Sequence, residues 1–598
     1  MAGRVILRFH RGGSNHETHH YLRRNDGRCG GLLRNPYLRL GFRFPAMRTK
    51  AARFTLAVVA CTLAACSSYS KVREKRPQFR PITGTVGVLA NAQREIFRAM
   101  QRERRDPLAA LGGFIAAAET ASKQLQRNPG DGIAKQGYNF AVGRIIQTIR
   151  DAKLNPWAQP LHVPAAGGDF VLTHRPDPRP QWNPALYDFT PADQFDIRGT
   201  YVTERTVRDG IGAPAVATGK NETKDWRANF GMRRVFYGVT MVARFEGRRC
   251  VLSFEDPLAA ETTSLGGRTY PLAADFTVPM AVMLAKLEPK KLELTRLLRP
   301  EKYEDTAGIA RLQPYDPNKR VVLMIHGLMD SPATWAPMIN ALRGDADIRK
   351  NYQFWFYSYP SGYPYPYSAS ILRRELDAVE SKFPLNKPMV VIGHSMGGCI
   401  SRLLITDTSD KKLWMKLVKV APEQVKMPSD DKKLLTDMLI FRHRKEVGRA
   451  ILISAPLRGS DLASNWLGRL GAKLVHPVST LQKVGSDLQK AAAATGRGAE
   501  FKSMPNSVDT MRPDLPFVKA INTVPIAPGV RYHTVVGDRG KGGNPDHTKP
   551  VRSDGIVPYW SSHLDGAESE LIVPSNHSAH QNPQTIAEVR RILTLGVR

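Results

Sequence analysis

The stretch from Lys387 to Asp407, KPMVVIGHSMGGCISRLLITD, constrains the fold more tightly than any other part of the chain. Met389-Val390-Val391-Ile392 is a short apolar run with β-branched residues and Pro388 just ahead of it, the signature of a buried strand. Gly393-His394-Ser395-Met396-Gly397 follows at once, and Cys399-Ile400 and Leu403-Leu404 then recur at helical spacing. Strand, G-x-S-x-G and helix in succession make a nucleophile elbow, a turn so sharp that the serine backbone is strained and glycines must flank it. Ser395 Oγ is thereby expected at the carboxyl edge of a sheet, with the Met396 N–H directed at developing negative charge.

A serine hydroxyl is a weak nucleophile at neutral pH. It needs an imidazole to take its proton and a carboxylate to hold that imidazole in one tautomer. Downstream of the elbow, Arg531 to Val536 reads as a strand with Asp538 after it, and Ser553-Asp554-Gly555-Ile556-Val557-Pro558 follows. Glu570 to Pro574 reads as a last strand, Ser575-Asn576-His577-Ser578-Ala579-His580 comes next, and Thr585 to Leu595 closes the chain as a helix. The carboxylate candidates are Asp554 and Asp538; the expected imidazole is His577, the first after the last strand, with His580 as the alternative. Upstream, Val321 to Ile325 is an apolar strand ending in His326-Gly327-Leu328, and His326 reads as structural. Asp330-Ser331-Pro332-Ala333 opens a helix through Leu342, with Pro332 near its first position. The aromatic run Tyr359–Tyr367 either lines the site or packs beneath it.

These residues resemble the α/β-hydrolase superfamily over about residues 307–598. The fold class so implied is α/β, with a mostly parallel central sheet. Within the superfamily the chain looks most like bacterial esterase and lipase lipoproteins related to class 2 lipases and to inositol deacylases acting on GPI anchors. The carrying residues are His326-Gly327-Leu328, Gly393 to Gly398, Asp554-Gly555 and His577. The resemblance implies the chain order serine, acid, histidine, and the D-G-I-V-P context favours Asp554 as the acid. It implies Leu328 and Met396 N–H groups as the oxyanion hole, hydrolysis of an ester or lipid substrate, and chemistry that needs neither cofactor nor metal. An acyltransferase or thioesterase would use the same triad. A non-catalytic envelope scaffold is the reading from a different class, and the intact serine, acid and histidine argue against it.

The N-terminus carries a second message. Residues 1–46 hold nine arginines against Glu17 and Asp26, with no sustained periodicity. Met47 to Arg53 is basic, Phe54 to Ala65 is apolar, and Leu63-Ala64-Ala65-Cys66 resembles the lipobox of bacterial lipoproteins. Met47 reads as the true start, residues 1–46 as a spurious extension and 47–65 as a lipoprotein signal peptide. Cys66 becomes the lipidated N-terminus, and Ser67 after it matches the class sorted to the outer membrane, facing the periplasm. The apolar core is too short to span a bilayer.

The formal charge of +33 raises the question of nucleic acid. Removing residues 1–65, with twelve basic and two acidic residues, lowers it to +23. The rest is scattered and lacks a nucleic-acid motif, so an anionic envelope surface is the expected partner, reached through lipidated Cys66. The five cysteines have no metal spacing. Nothing in the sequence supports pairing of Cys250 with Cys399.

Between anchor and elbow three regions are expected. Residues 66–90 read as a polar tether. Residues 91–157 read as a helical hairpin, loosely similar to a tetratricopeptide unit, with Leu108, Leu111, Phe114, Ile115 and Ala118 on one face; it serves for packing or as a surface for a protein partner. Residues 158–306 read as a β-rich accessory region ending in a charged linker, with one hairpin across Glu246-Gly247-Arg248. Within the 307–598 domain, residues 408–449 break the alternation of strand and helix and are read either as a cap over the site or as a solvated surface helix.

Overall fold

The computed structural model describes residues 68–596 apart from 180–182, 221–231, 233, 461–474, 476–477, 494–503 and 541–552. The expectations for residues 1–46, 47–65 and Cys66 lie outside the described residues. Among the described residues, no helix is long and apolar enough to cross a membrane.

Residues 308–596 are organised on a seven-stranded sheet. In spatial order its strands are Gly308–Arg311, Tyr352–Ser358, Arg320–Ile325, Met389–His394, Val447–Ile453, Arg531–Asp538 and Ser569–Pro574. The first is antiparallel to its neighbour and the other pairings are parallel. Side chains alternate across a strand, so a run that is apolar throughout must be covered on both faces. Val321, Leu323 and Ile325 enter one core with Val391, while Val322 and Met324 enter the other with Val390 and Ile392. Helices Tyr365–Lys382 and Met396–Leu404 cover the first face, and Ala336–Arg343 and Pro583–Leu595 the second.

The N-terminal half departs from expectation in four places. The segment read as a tether is fixed from Tyr69 onward: Lys71–Glu74 pairs antiparallel with Phe195–Arg198, Tyr69 stacks on Tyr201 at 4.2 Å, and its hydroxyl donates to Glu293. The hairpin is a three-helix unit, Val88–Arg102, Pro107–Arg127 and Gly132–Asp151. The polar break at Arg104-Arg105-Asp106-Pro107 separates the first two, with Asp106 capping the second through Ala109 N–H. Leu108, in the first turn, is 37% exposed and belongs to no core face. The expected charged linker is a helix, Lys290–Leu298, followed by a 3-10 turn.

The β-rich region forms a six-stranded sheet, Leu161–Val163, Phe170–His174, Arg249–Glu255, Arg234–Glu246, Ala213–Lys220 and Asp188–Pro191 in spatial order. Its hairpin turns at Glu246-Gly247-Arg248-Arg249, with Gly247 at φ 59°. The three helices lie on this sheet, joined to it by the Tyr138 hydroxyl, which donates to Ala243 O at 2.7 Å and accepts from Ala243 N–H at 2.9 Å. No separate linker divides this region from the hydrolase sheet. Helix Val278–Leu287 puts Met280, Ala281 and Leu284 into the same core as Val322 and Met324, and Arg349 forks onto Glu261 with two bonds of 2.7 Å.

The 408–449 segment contains helices Lys412–Val418 and Ser429–Leu439. Leu413, Trp414, Leu417 and Leu435 are buried in the core on the Tyr365–Lys382 face, so this segment thickens the helical layer and is more than a solvated surface helix. Cys250 and Cys399 are buried and free, in different cores.

Candidate active site

Parallel strands deliver their carboxyl ends to one rim of a sheet, and loops from four strands meet there. Ser395 follows Met389–His394 directly and adopts φ 54°, ψ −126°, a left-handed-side conformation that costs an L-residue on the order of 1–3 kcal/mol. The turn closes only because its neighbours lack side chains. A Cβ on Gly393 would meet Gly397 O at 2.3 Å, and one on Gly397 would meet Ile325 O at 2.2 Å.

His577, three residues past the strand Ser569–Pro574, places Nε2 2.8 Å from Ser395 Oγ and Nδ1 2.7 Å from Asp554 Oδ2. The other oxygen of Asp554 accepts from the N–H groups of Ile556 and Val557 at 2.8 and 2.7 Å. Burial raises the affinity of this carboxyl for a proton, but His577 and the two amides outweigh it and hold the group below the usual carboxylate range. Asp554 reaches His577 because Gly537 is bare: a Cβ there would stand 2.8 Å from Asp554 Cβ.

The two alternatives lie elsewhere. Asp538, buried at the end of its strand, accepts from Gly540 N–H at 2.8 Å and serves its own loop. His580 is buried against Thr334, Trp335 and His394. Gly327 lies against Ser395, since a Cβ on it would come within 3.0 Å of Ser395 Cβ; this brings the chain just before Leu328 to the same place as the start of the Met396 helix. His326 is fully buried, stacked on Tyr359 at 4.4 Å, with the Tyr359 hydroxyl donating to its carbonyl at 2.7 Å. Burial, assisted by Arg296, lowers its imidazole to about 3, so it is neutral. The aromatic run Tyr359–Tyr367 is buried packing.

One participant is invisible in the motif. His394 is a variable position of G-x-S-x-G, yet its Nε2–H donates to the His577 carbonyl at 2.7 Å and so anchors the loop that carries the imidazole. Burial, with His577 beside it, lowers His394 to about 3, which leaves it uncharged. Sequence gives no signal for this bond, because the two residues are far apart along the chain.

A sequence model of the alpha/beta hydrolase family matches residues 322–589. No curated protein matches the chain. Among solved structures, the mature Bacillus licheniformis lipase BlEst2 is similar over 48% of this chain and 96% of its own, at 17% identity and a TM-score of 0.29. A thermostable carboxyl esterase from Bacillus coagulans is similar over 48% and 92%, at 14% identity and a TM-score of 0.26. A lipase-esterase related protein from Clostridium acetobutylicum is similar over 48% and 98%, at 11% identity and a TM-score of 0.25. Strand order, parallel register and the family match agree over one stretch: residues 322–589 are a domain of the alpha/beta hydrolase family.

Proposed function

We propose that this chain is a serine hydrolase of carboxylic esters. Ser395 Oγ attacks the ester carbonyl while His577 Nε2 takes its proton, and Asp554 holds the resulting imidazolium. The N–H groups of Leu328 and Met396 receive the negative charge on the carbonyl oxygen. His577 then protonates the leaving alcohol, and water, deprotonated by the same nitrogen, releases the acid.

The observation that carries this reading is the pair of bonds through His577, 2.8 Å to Ser395 and 2.7 Å to Asp554, on a serine held at positive φ. A hydroxyl strained into reach of an imidazole has a chemical use, whereas as a helix cap it makes no capping bond. The test is a p-nitrophenyl ester panel from two to sixteen carbons, together with labelling by a fluorophosphonate probe. Turnover and labelling are expected in the wild type and absent in Ser395→Ala; a wild type that neither turns over nor labels refutes the reading.

The same proposal places the enzyme on the cell envelope through Cys66, at the outer membrane and facing the periplasm, supported by the basic, apolar and small-residue succession of residues 47–66. Mass spectrometry of the mature N-terminus is expected to find lipid on Cys66, and Cys66→Ala to leave the protein unanchored.

A further inference from the structure

Behind the triad lies a second cluster, of which the proposed hydrolysis uses only the His394 bond to the His577 carbonyl. One nitrogen each from His394 and His580 and a carboxylate oxygen of Asp330 lie within 4.8 Å of one another. The two histidines are 5% and 2% exposed, and their rings face each other at 3.9 Å. Nδ1 of each imidazole has no hydrogen-bond partner among the described residues. A buried polar atom left unpaired costs about 1–3 kcal/mol, and two of them side by side call for an occupant.

The outer nitrogens say what that occupant is. His394 gives its Nε2–H to the His577 carbonyl, so its Nδ1 carries the lone pair. His580 Nε2 lies against Thr334 Oγ1 and 3.2 Å from the Gln581 amide nitrogen, which also donates to Thr334 Oγ1 at 3.1 Å; both neighbours are on the outer side of the ring, and His580 Nδ1 has no partner among the described residues. An imidazole whose far N–H is committed to an oxygen acceptor, leaving the near nitrogen bare, is the arrangement of a metal-bound histidine. Asp330 contributes a carboxyl oxygen; the group also accepts from the Ser331 N–H at 2.8 Å and from the Thr334 hydroxyl.

We propose that Asp330, His394 and His580 form a binding site for a divalent transition-metal ion, with zinc the best match, directly behind the Ser395, His577 and Asp554 cluster. Two imidazole nitrogens and one carboxylate oxygen suit zinc, with a fourth position open to water. Ligands about 2.0–2.2 Å from a tetrahedral ion stand roughly 3.4 Å apart, so loading draws the three residues together by roughly 1 Å. The ion ties together three loops: the one after Arg320–Ile325, the end of the elbow strand and the one after Ser569–Pro574. It reacts with nothing; it fixes the loops that carry Leu328 and His577.

The site is testable apart from hydrolysis. The full chain, stripped with chelator and dialysed against zinc chloride, is expected to retain about one zinc ion per chain and to unfold about 3 °C or more higher than the stripped protein. Ser395→Ala is expected to keep both properties, so a failure of the hydrolase reading leaves this result standing. Asp330→Asn and His580→Gln are expected to lose both. Should a variant fail to fold, zinc-edge X-ray absorption of the loaded Ser395→Ala protein decides, with about two imidazole ligands expected near 2.0 Å. Less than half an equivalent of zinc in the wild type, zinc retained equally by Asp330→Asn and His580→Gln, or a spectrum without imidazole scattering overturns the proposal.

Discussion

His394 donates its Nε2–H to the carbonyl oxygen of His577, 2.7 Å away, so the residue next to Ser395 holds the backbone of the residue that faces it. The bond couples the elbow to the loop after the last strand, and its loss frees the imidazole to wander from Ser395 Oγ. His394→Ala is expected to lower kcat about 10- to 100-fold with little change in KM, since misplacing a catalytic group by an ångström costs about that much. A panel of ester kinetics checks it; an equal rise in KM with unchanged kcat points instead to a binding role.

The two carboxylates are separable by mutation. Asp554 bonds to His577 and Asp538 bonds to its own loop. Asp554→Asn is expected to cut kcat by about 10⁴-fold, the loss that follows when an imidazole is held in the wrong tautomer. Asp538→Asn is expected to stay within about 10-fold of wild type. Ser395→Ala removes the nucleophile and is expected to cost on the order of 10⁴-fold or more. Steady-state rates on one short-chain ester rank all three.

Two glycine substitutions are expected to move stability in opposite directions. A Cβ on Gly397 meets main-chain oxygens of Ile325 and His326 at 2.2 and 2.5 Å, atoms that cannot swing aside. Gly397→Ala is expected to cost about 2 kcal/mol or more. Gly137 sits inside the helix Gly132–Asp151 with nothing within 4 Å of a Cβ, so Gly137→Ala is expected to gain about 0.5–1 kcal/mol. Thermal midpoints of both variants against wild type are the measurement.

Buried neutral histidines make the fold acid-sensitive. His533 lies in the strand Arg531–Asp538, 1% exposed, with Arg449 at its Nε2 and Ser569 Oγ 2.8 Å from its Nδ1. Burial, reinforced by Arg449, lowers it from 6.5 to about 4. The unfolded chain therefore takes up a proton near pH 6.5 that the native chain refuses until about 4. The stability tied to this refusal is complete above pH 6.5, is lost as pH falls toward 4, and changes by up to about 1.4 kcal/mol per pH unit in between. His326, lowered to about 3, adds a second such slope. Denaturant midpoints at pH 7, 6 and 5 are expected to fall steadily, and less steeply in His533→Gln; equal slopes in the two proteins refute the assignment.

Local pattern was enough for the elements around the elbow. Apolar runs at 321–325 and 389–392 became strands because a run apolar at every position must be buried on both faces, and glycine spacing around Ser395 follows from hard contacts within a few residues. Pattern failed where packing partners are distant. The polar residues after Ser67 looked free because nothing nearby in the sequence reveals that Lys71–Glu74 pairs with Phe195–Arg198. The charged run at 290–298 looked like a linker because its buried Glu293 and Arg296 find partners in Tyr69, Ser331, Ser358 and Thr306.

The sequence by itself determined which serine is strained, which strands carry the rim and which few carboxylates and imidazoles were in contention. The tertiary structure decided which of them meet: Asp554, not Asp538, bonds His577 where Gly537 leaves it room, and His577 lies in reach of Ser395 Oγ while His580 turns toward Asp330 and His394. The reason is that hydrogen bonds and steric contacts act over a few ångströms in space, and residues that meet at those distances here stand up to 250 positions apart along the chain.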